Sequence, residues 1–123
     1  LLAPHNRLPV CQQEIFGPVA AIQLFDDFEQ ALDIANDSDF GLVAYVWTQD
    51  LGQSLQAAQR LQAGVVLTNT QMTLDTRFPF GGYKQSGVGR EGIDGMRHFY
   101  TEEKTVTVAL RPPPMERLGI APP

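Results

Sequence analysis

A carboxylate and an aromatic side chain stand two residues apart near the start of the sequence, at Glu14 and Phe16. They lie among apolar residues, just before a Gly-Pro turn signal. A carboxylate at the mouth of a parallel sheet can accept two hydrogen bonds from a ribose diol, and an aromatic ring can contact a flat ligand ring. Composition alone favours a simpler interpretation, in which Glu14 is solvated and Phe16 belongs to the core.

A glycine-rich stretch, residues 79–92 (PFGGYKQSGVGREG), contains five glycines in fourteen positions. Such a stretch is either a phosphate cradle or a tightly folded connector, because glycine allows close approach of a ligand or another backbone. It spells G-x-G-x-x-G from Gly87, but no strand pattern precedes it and the next acid, Glu102, comes too early for a dinucleotide site. Lys84 is not followed by Ser or Thr, which excludes a Walker loop. We therefore predict a compact turn that ends in a helix N-terminus near Arg90.

Other reactive side chains are isolated in the sequence. His5 and His98 have no cysteine or carboxylate partners at metal-ligand spacing, so the sequence predicts no metal site. Cys11 has no histidine nearby and lies in a predicted loop, which favours a passive thiol over a nucleophile.

Length and composition restrict the function classes. The chain has 123 residues, enough for one domain or part of a larger one. A net charge of −5 argues against a nucleic-acid partner, and no apolar run reaches the length of a membrane span. A single cysteine is typical of a reducing compartment, so we expect a cytoplasmic protein. Because the sequence starts at Leu1 without a cap or strand pattern, we expect that more protein precedes it.

The first third of the sequence predicts a loop, a strand and a helix. Prolines restrict residues 1–13, and the mostly apolar residues 19–25 are typical of a strand. Either Asp26 or Asp27 can cap the helix that follows.

Two further strands flank a second predicted helix. Residues 42–48 (LVAYVWT) are apolar on both faces, as in a parallel strand covered by helices. Asp50 is placed to cap the helix, Gly64 to follow it as a C′ glycine, and residues 65–68 to form the next strand. The alternation of strands and helices predicts an α/β fold with a parallel sheet.

The last third of the sequence predicts one more helix and one more strand. Residues 91–100 are expected to form a short helix, and residues 105–110 (TVTVAL) alternate as in a strand. Three prolines at 112–114 end that strand because proline cannot donate a ladder hydrogen bond.

The sequence resembles the C-terminal part of the catalytic domain in the aldehyde dehydrogenase superfamily, which is NAD(P)-dependent. The glutamate segment at 14–19 (EIFGPV) resembles a family motif, and residues 79–91 resemble the signature P-F-G-G-x-K-x-S-G-x-G-R-E. Three further segments match in order: residues 36–42 (N-x-x-x-x-G-L), residues 64–69 (G-x-V-x-x-N) and residues 101–108 (T-E-x-K-T-V-T-V).

The resemblance implies roles for four side chains. Glu14 would accept hydrogen bonds from the nicotinamide ribose of NAD or NADP, and Phe16 would pack near the nicotinamide ring. Phe80 would help to wall the aldehyde tunnel. The loop at residues 70–78 would face the tunnel mouth, with Leu74 lining it.

The resemblance also implies an architecture and an assembly. Over about residues 9–110 the chain resembles part of a three-layer, parallel-sheet α/β catalytic domain. We assign residues 1–103 to that domain, residues 104–110 to an oligomerisation strand and residues 111–123 to a Pro-rich tail. Residues 105–110 would join the sheet of a neighbouring subunit, so we expect a homo-oligomer.

One departure from the family limits the predicted activity. The family's nucleophilic cysteine, base glutamate, oxyanion asparagine and nucleotide-binding domain all precede the position of Glu14 and lie outside this chain. Cys11 stands three residues before Glu14, where the family has no nucleophile. The isolated chain is therefore expected to be inactive. The alternative is a stand-alone, non-catalytic fragment that acts as a structural or oligomerisation partner through residues 105–110.

Overall fold

The computed structural model describes residues 1–71 and 75–111 of the chain. Helices and short strands alternate along it, which confirms the predicted α/β class. In chain order the elements are α1 (Pro9–Gln12), α2 (Phe28–Asn36), β1 (Phe40–Gly41), β2 (Val43–Val46), α3 (Leu51–Arg60), β3 (Val65–Thr68), β4 (Tyr83–Lys84) and α4 (Ile93–Tyr100).

A parallel β–α–β unit forms the centre of the described structure. Strands β2 and β3 pair in parallel, with Val43 opposite Val65 and Val46 opposite Thr68. Helix α3 makes the crossover between them, as parallel strands require. This part of the sequence prediction is confirmed, because apolar strands and capped helices are encoded locally.

Aspartates cap the two longer helices. The Asp27 carboxylate accepts a hydrogen bond from the Gln30 backbone N–H at 2.8 Å at the start of α2. Asp50 accepts one from Gln53 N–H at 3.0 Å at the start of α3. The sequence allows either Asp26 or Asp27 as the cap of the first of these helices, and the structure selects Asp27.

A second, antiparallel sheet ties the glycine-rich stretch to the chain before β2. Strands β1 and β4 pair Phe40 with Lys84 and Gly41 with Tyr83. The stretch 79–92 then closes on itself through an isolated bridge, in which Phe80 and Glu91 exchange backbone hydrogen bonds of 3.0 and 2.7 Å. We call residues 79–92 the connector.

Two sequence predictions for the N-terminal segment are wrong. Residues 1–13 are not all loop, because they include α1, which Pro9 starts. Residues 19–25 form no strand of their own; only Ile22 pairs, in an isolated parallel bridge with Leu2. A strand needs a hydrogen-bonded neighbour along its length, and within the described residues Leu2 and its neighbours supply one for a single position.

The glycine at position 64 does not act as the predicted C′ residue. Helix α3 ends at Arg60, and Leu61 follows in an extended conformation. Gly64 instead lies against the connector: a Cβ on it would stand 1.6 Å from the carbonyl oxygen of Gly81. The backbones therefore meet here with no space for a side chain.

The last helix begins later than predicted. Glu91 is held in the bridge with Phe80, so α4 starts at Ile93 rather than at residue 91. Gly92 precedes it with φ of 112°, a conformation that favours glycine.

Residues 105–110 form no strand within this chain, so their predicted pairing with the sheet of another subunit stays a prediction. No strand occurs between residues 101 and 111, and Val106, Val108 and Leu110 are 72%, 74% and 96% exposed. The segment pairs with neither of the two described sheets. The predicted three-layer domain is likewise not confirmed, since the described residues form only two two-stranded sheets. Most of the Pro-rich tail, residues 112–123, lies outside the described residues.

Much apolar surface remains uncovered. In the described part of the chain, the buried apolar residues are Ala3, Leu32 and Ala57. The accessible surface is 10,878 Å², against about 6,600 Å² for a compact monomer of this mass. None of the helices in the described ranges has the length and apolar character needed to cross a bilayer.

Replacing the capping aspartate should destabilise the chain. We expect Asp27→Ala to lower the free energy of unfolding by about 0.5–2 kcal/mol, because the Gln30 N–H loses its acceptor. Asp26→Ala is the matched control, since the Asp26 carboxylate accepts no hydrogen bond from any described residue. Urea unfolding followed by circular dichroism measures both, and equal midpoints for the two variants would contradict the assignment of the cap.

An ion pair between α2 and α3 predicts a dependence of stability on pH. Arg60 donates to both carboxylate oxygens of Glu29, at 2.7 and 2.6 Å, and this hydrogen bonding lowers the pKa of Glu29. A lowered folded-state pKa gives stabilisation that is present above the ordinary pKa and is lost as pH falls through the folded-state value.

We therefore expect Glu29→Gln to lower the melting temperature slightly at about pH 6, and the difference from the unmodified chain to shrink below about pH 4. Glu102→Gln is the control, at an exposed residue that forms no ion pair within the described ranges. A difference that stays constant across this pH range would show that the pair contributes nothing through ionisation.

Adding one methyl group where the backbones meet should disturb the connector. We expect Gly64→Ala to lower the free energy of unfolding by about 1–3 kcal/mol, because its Cβ would overlap the Gly81 carbonyl. Gly17→Ala is the control, since the nearest atom to its added Cβ is 4.0 Å away. Denaturant midpoints measure the effect, and a Gly64→Ala midpoint equal to that of the control would refute the close contact.

Candidate functional site

The segment after α1 presents the first predicted site residue to solvent. Gln13 leaves the helix in an extended conformation, with φ −111° and ψ 143°. Glu14 follows and is exposed, and its carboxylate makes no hydrogen bond or ion pair with any described residue. Both of its oxygens can therefore accept hydrogen bonds from a ligand.

Phe16 has an unusual backbone and no cover. Its φ is 52°, in the left-handed region that few non-glycine residues adopt. The residue is 93% exposed, so Phe16 does not belong to the core of this chain. Strained backbone at an exposed aromatic residue is typical of binding sites.

Glu14 stands at the edge of a cleft of about 500 Å³, which we call the Glu14 cleft. The end of α1 forms one side of it. The opposite side comes from β1, the start of β2 and the connector, with Phe40, Gly41, Val43 and Gln85 among the lining residues.

Phe80 lies in a different cleft, of about 570 Å³, which we call the Phe80 cleft. The bridge to Glu91 fixes its backbone, and its side chain is half-buried. Apolar side chains of α4 complete the cleft: Met96, Phe99 and Tyr100. The structure thus places Glu14 and Phe80 in neighbouring clefts rather than in one.

Two residues without a predicted role line both clefts. They are Leu42 and Ser86. The Ser86 hydroxyl oxygen accepts a hydrogen bond from the Gly41 N–H at 2.9 Å, which holds the connector against the segment before β2. In the sequence, the one feature that could have indicated this role is that Ser86 is a small polar residue among glycines.

The connector is folded on itself as a turn, as predicted, but the residues before Gly87 include a short strand that the sequence pattern did not indicate. The strand before Gly87 is the two-residue β4, which pairs antiparallel and is exposed, unlike the buried parallel strand of a dinucleotide fold. Arg90 donates from Nη1 to the carbonyl oxygens of Gly82 and Gly89, at 3.0 and 2.6 Å. Its guanidinium carbon lies 5.3 Å from the centre of the Tyr83 ring. The Arg90 side chain therefore makes its contacts within the connector itself.

The remaining candidates contribute no site. Leu74 lies outside the described residues. Cys11 is half-buried and its Sγ is 3.6 Å from the Gln23 amide nitrogen. His5 and His98 are exposed. Within residues 1–71 and 75–111, no group of three or more His, Cys, Asp or Glu side chains could hold a metal ion.

Comparison with known proteins identifies the family. A model described as "Aldehyde dehydrogenase family" matches residues 1–106. A probable aldehyde dehydrogenase of Streptomyces coelicolor is 44% identical over 108 residues, covering 88% of this chain and 21% of the relative. A 2-aminomuconic semialdehyde dehydrogenase of Danio rerio is 48% identical over 97 residues, covering 79% and 20%.

Solved structures agree with the sequence relatives. HpcC from Thermus thermophilus superimposes with a TM-score of 0.86 at 42% identity, covering 96% of this chain and 23% of that protein. An indole-3-acetaldehyde dehydrogenase complexed with NAD+ superimposes with a TM-score of 0.70 at 44% identity, covering 74% and 18%.

The chain spans about a fifth of the length of the relatives that it matches. This share does not establish which end of the relatives it represents, so the C-terminal placement stays a prediction. The family itself rests on the match over residues 1–106 and on a fold shared at more than 40% identity. The chain belongs to the aldehyde dehydrogenase family.

Proposed function

We propose that this chain is a segment of an NAD(P)-dependent aldehyde dehydrogenase, an enzyme that oxidises an aldehyde to a carboxylic acid. In this proposal the chain supplies contacts to the nicotinamide ribose, to the aldehyde and to other subunits. One observation carries it: the unpartnered carboxylate of Glu14, among the described residues, at the edge of a 500 Å³ cleft and two residues from the exposed ring of Phe16.

The chemistry of these two side chains suits the nicotinamide end of NAD or NADP. A ribose presents two neighbouring hydroxyl groups, and the two oxygens of the Glu14 carboxylate can accept a hydrogen bond from each. The Phe16 ring can pack against the flat nicotinamide. When bound, the cofactor supplies a hydride acceptor, and the residues of this chain would hold and orient it.

The Phe80 cleft is our candidate for the aldehyde side of the site. Its lining combines aromatic rings and small residues with the charged Arg90 and Glu91, and its aromatic surface could pack against an apolar aldehyde. It meets the Glu14 cleft at Leu42 and Ser86, so ligands in the two clefts would be neighbours. Leu74 stays a predicted lining residue of the same passage.

Assembly with other polypeptide is part of the proposal. In an extended segment the side chains of Val106, Val108 and Leu110 lie on one face, and all three are exposed. Residues 105–110 could thus add to the sheet of another subunit, which supports the prediction of a homo-oligomer.

We further propose that the isolated chain does not catalyse the reaction. It spans about a fifth of its relatives, and Cys11, half-buried beside Gln23, is not proposed as the nucleophile. The nucleophile, the base and the adenosine-binding surface are assigned to the remainder of such an enzyme.

A second candidate is a non-catalytic partner chain, favoured by the large accessible surface of 10,878 Å². It would associate through its apolar faces and bind no nucleotide. Titration of the complete protein that contains this chain with NADH, followed by NADH fluorescence, separates the two, because the adenosine-binding surface is assigned to the remainder of such an enzyme. Binding that Glu14→Gln weakens favours the enzyme segment, whereas association without any binding favours the partner chain.

In the enzyme that contains this chain, Glu14→Gln should weaken NAD(P) binding about tenfold and slow hydride transfer, because the charged acceptor is lost. Fluorescence titration and single-turnover formation of NAD(P)H measure the two effects. Glu102→Gln is the control, at an exposed glutamate with no hydrogen-bond partner in the described ranges. Unchanged affinity and turnover in Glu14→Gln would remove Glu14 from the cofactor site.

A further inference from the structure

We propose that the C-terminal turn of α2, residues 34–38, is the common anchor of the two clefts, and that Lys84 is the positioning residue that holds the connector to it. The inference has a structural part, that Lys84 holds the connector to the turn, and a functional part, that this contact positions the two clefts for their ligands. The structural part is argued from the hydrogen bonds of the turn. The functional part rests on the proposed function, which assigns the two clefts to the cofactor and the aldehyde. We call residues 34–38 the anchor turn.

The anchor turn offers more acceptors than its own helix can use. The last carbonyl groups of any helix lack intrahelical donors and carry partial negative charge. The last turn of α2 contains no basic residue, while Asp33, Asp37 and Asp39 add negative charge around it. A cation from another part of the chain is therefore favoured at this position.

Lys84 provides that cation from the connector. Its Nζ donates to the carbonyl oxygens of Asn36 and Ser38, at 2.6 and 2.7 Å. Hydrogen bonds from an ammonium group are stronger than neutral ones. The backbone of Lys84 has φ of 52°, which L residues rarely adopt, and its pairing with Phe40 and these two bonds hold it there.

The contact of Lys84 determines the wall between the clefts. The next residue, Gln85, donates its N–H to the Asp39 carbonyl at 2.9 Å. Ser86 follows, with its hydroxyl accepting from Gly41 N–H. Since Gln85 lines the Glu14 cleft and Ser86 lines both, anchoring Lys84 fixes this wall without Lys84 lining either cleft.

The same turn fixes the segment that carries Glu14. The Asn6 amide donates to the carbonyl oxygens of Ile34 and Asp37. The Gln12 amide, two residues before Glu14, donates to the Asp37 and Asn6 carbonyl oxygens, each at 2.8 Å.

The anchor turn is in turn joined to the β–α–β unit. The Asn36 side chain donates to the Arg60 carbonyl at 3.0 Å and accepts from the Gln62 N–H at 2.8 Å, beyond the end of α3. Both cleft-forming segments are thus joined through one turn to the central β–α–β unit. Displacing either segment from the turn should change the distance between the two clefts.

Lys84→Met tests the anchor because it keeps the length of the side chain and removes its donors. By hydrogen exchange of the 123-residue chain, we expect about tenfold faster exchange in residues 79–92 with strands β2 and β3 unchanged. Lys84→Arg should restore slow exchange in part, since a guanidinium can also donate to two carbonyls. Lys104→Met is the control, at an exposed lysine that donates to no described residue.

Asn6→Ala tests the other contact of the anchor turn, with the N-terminal segment, and it can be measured even if Lys84→Met does not fold. It should accelerate exchange in residues 9–14 and leave residues 79–92 protected. The inference is overturned if Lys84→Met exchanges like Lys104→Met, or if either anchor variant accelerates β2 and β3 as much as its own segment.

Steady-state kinetics of the enzyme that contains this chain test the functional part. Lys84→Met should raise the aldehyde KM about tenfold with a smaller change in kcat, and Lys84→Arg should recover part of it. Unchanged kinetics beside faster exchange would overturn the positioning role. If the unmodified enzyme oxidises no aldehyde with NAD(P), the proposed function fails, while the exchange results still decide whether Lys84 anchors the connector.

Discussion

The carbonyl oxygens at the C-terminal end of α2 need donors that the helix itself does not provide, and the described structure is arranged around this need. Two parts of the chain supply them: Asn6 and Gln12 donate from the N-terminal segment, and Lys84 donates from the connector. The Asn36 side chain then joins the same turn to the end of α3 by donating to the Arg60 carbonyl oxygen. Elements that are distant in sequence therefore meet at one turn. Walls of the two clefts belong to the segments that supply the donors, since Gln12 and Gln85 line one cleft and Ser86 lines both.

The part of the fold that the sequence predicts well is the part that is encoded locally. Asp27 and Asp50 mark helix starts within a few residues of an apolar stripe, and the β2 and β3 sequences are apolar on both faces. The roles of Glu14 and Phe16 stay predictions, since residue types and the turn signal only suggest a ligand contact and the assignment to the cofactor comes from the family resemblance. The role of Ser86 was not visible, because it depends on the pairing of β1 with β4, which are far apart in the sequence.

The failed predictions concern segments whose partners are not local. Residues 19–25 are mostly apolar, as in a strand, but an apolar run does not create the neighbouring edge on which a ladder depends. Residues 105–110 alternate as in a strand and pair with no described part of this chain, so their predicted pairing with another subunit stays a prediction. Gly64 illustrates a different limit. A glycine after a helix is usually a left-handed cap. Here the small size of Gly64 matters instead, because the backbone of Gly81, much later in the chain, lies directly against it. No helix-based pattern in the sequence distinguishes these two uses.

The contact between Gly64 and Gly81 also has a consequence for how the family can vary. Two main chains touch there with no side chain between them, so their separation is determined by the van der Waals radii of backbone atoms. We expect that changes of side-chain size along either cleft leave this contact in place. The distance from the parallel strands to the wall between the clefts would then be shared by all sequences that keep both glycines. The shapes of the two clefts could then differ between such sequences, while the position of one cleft relative to the other stays the same.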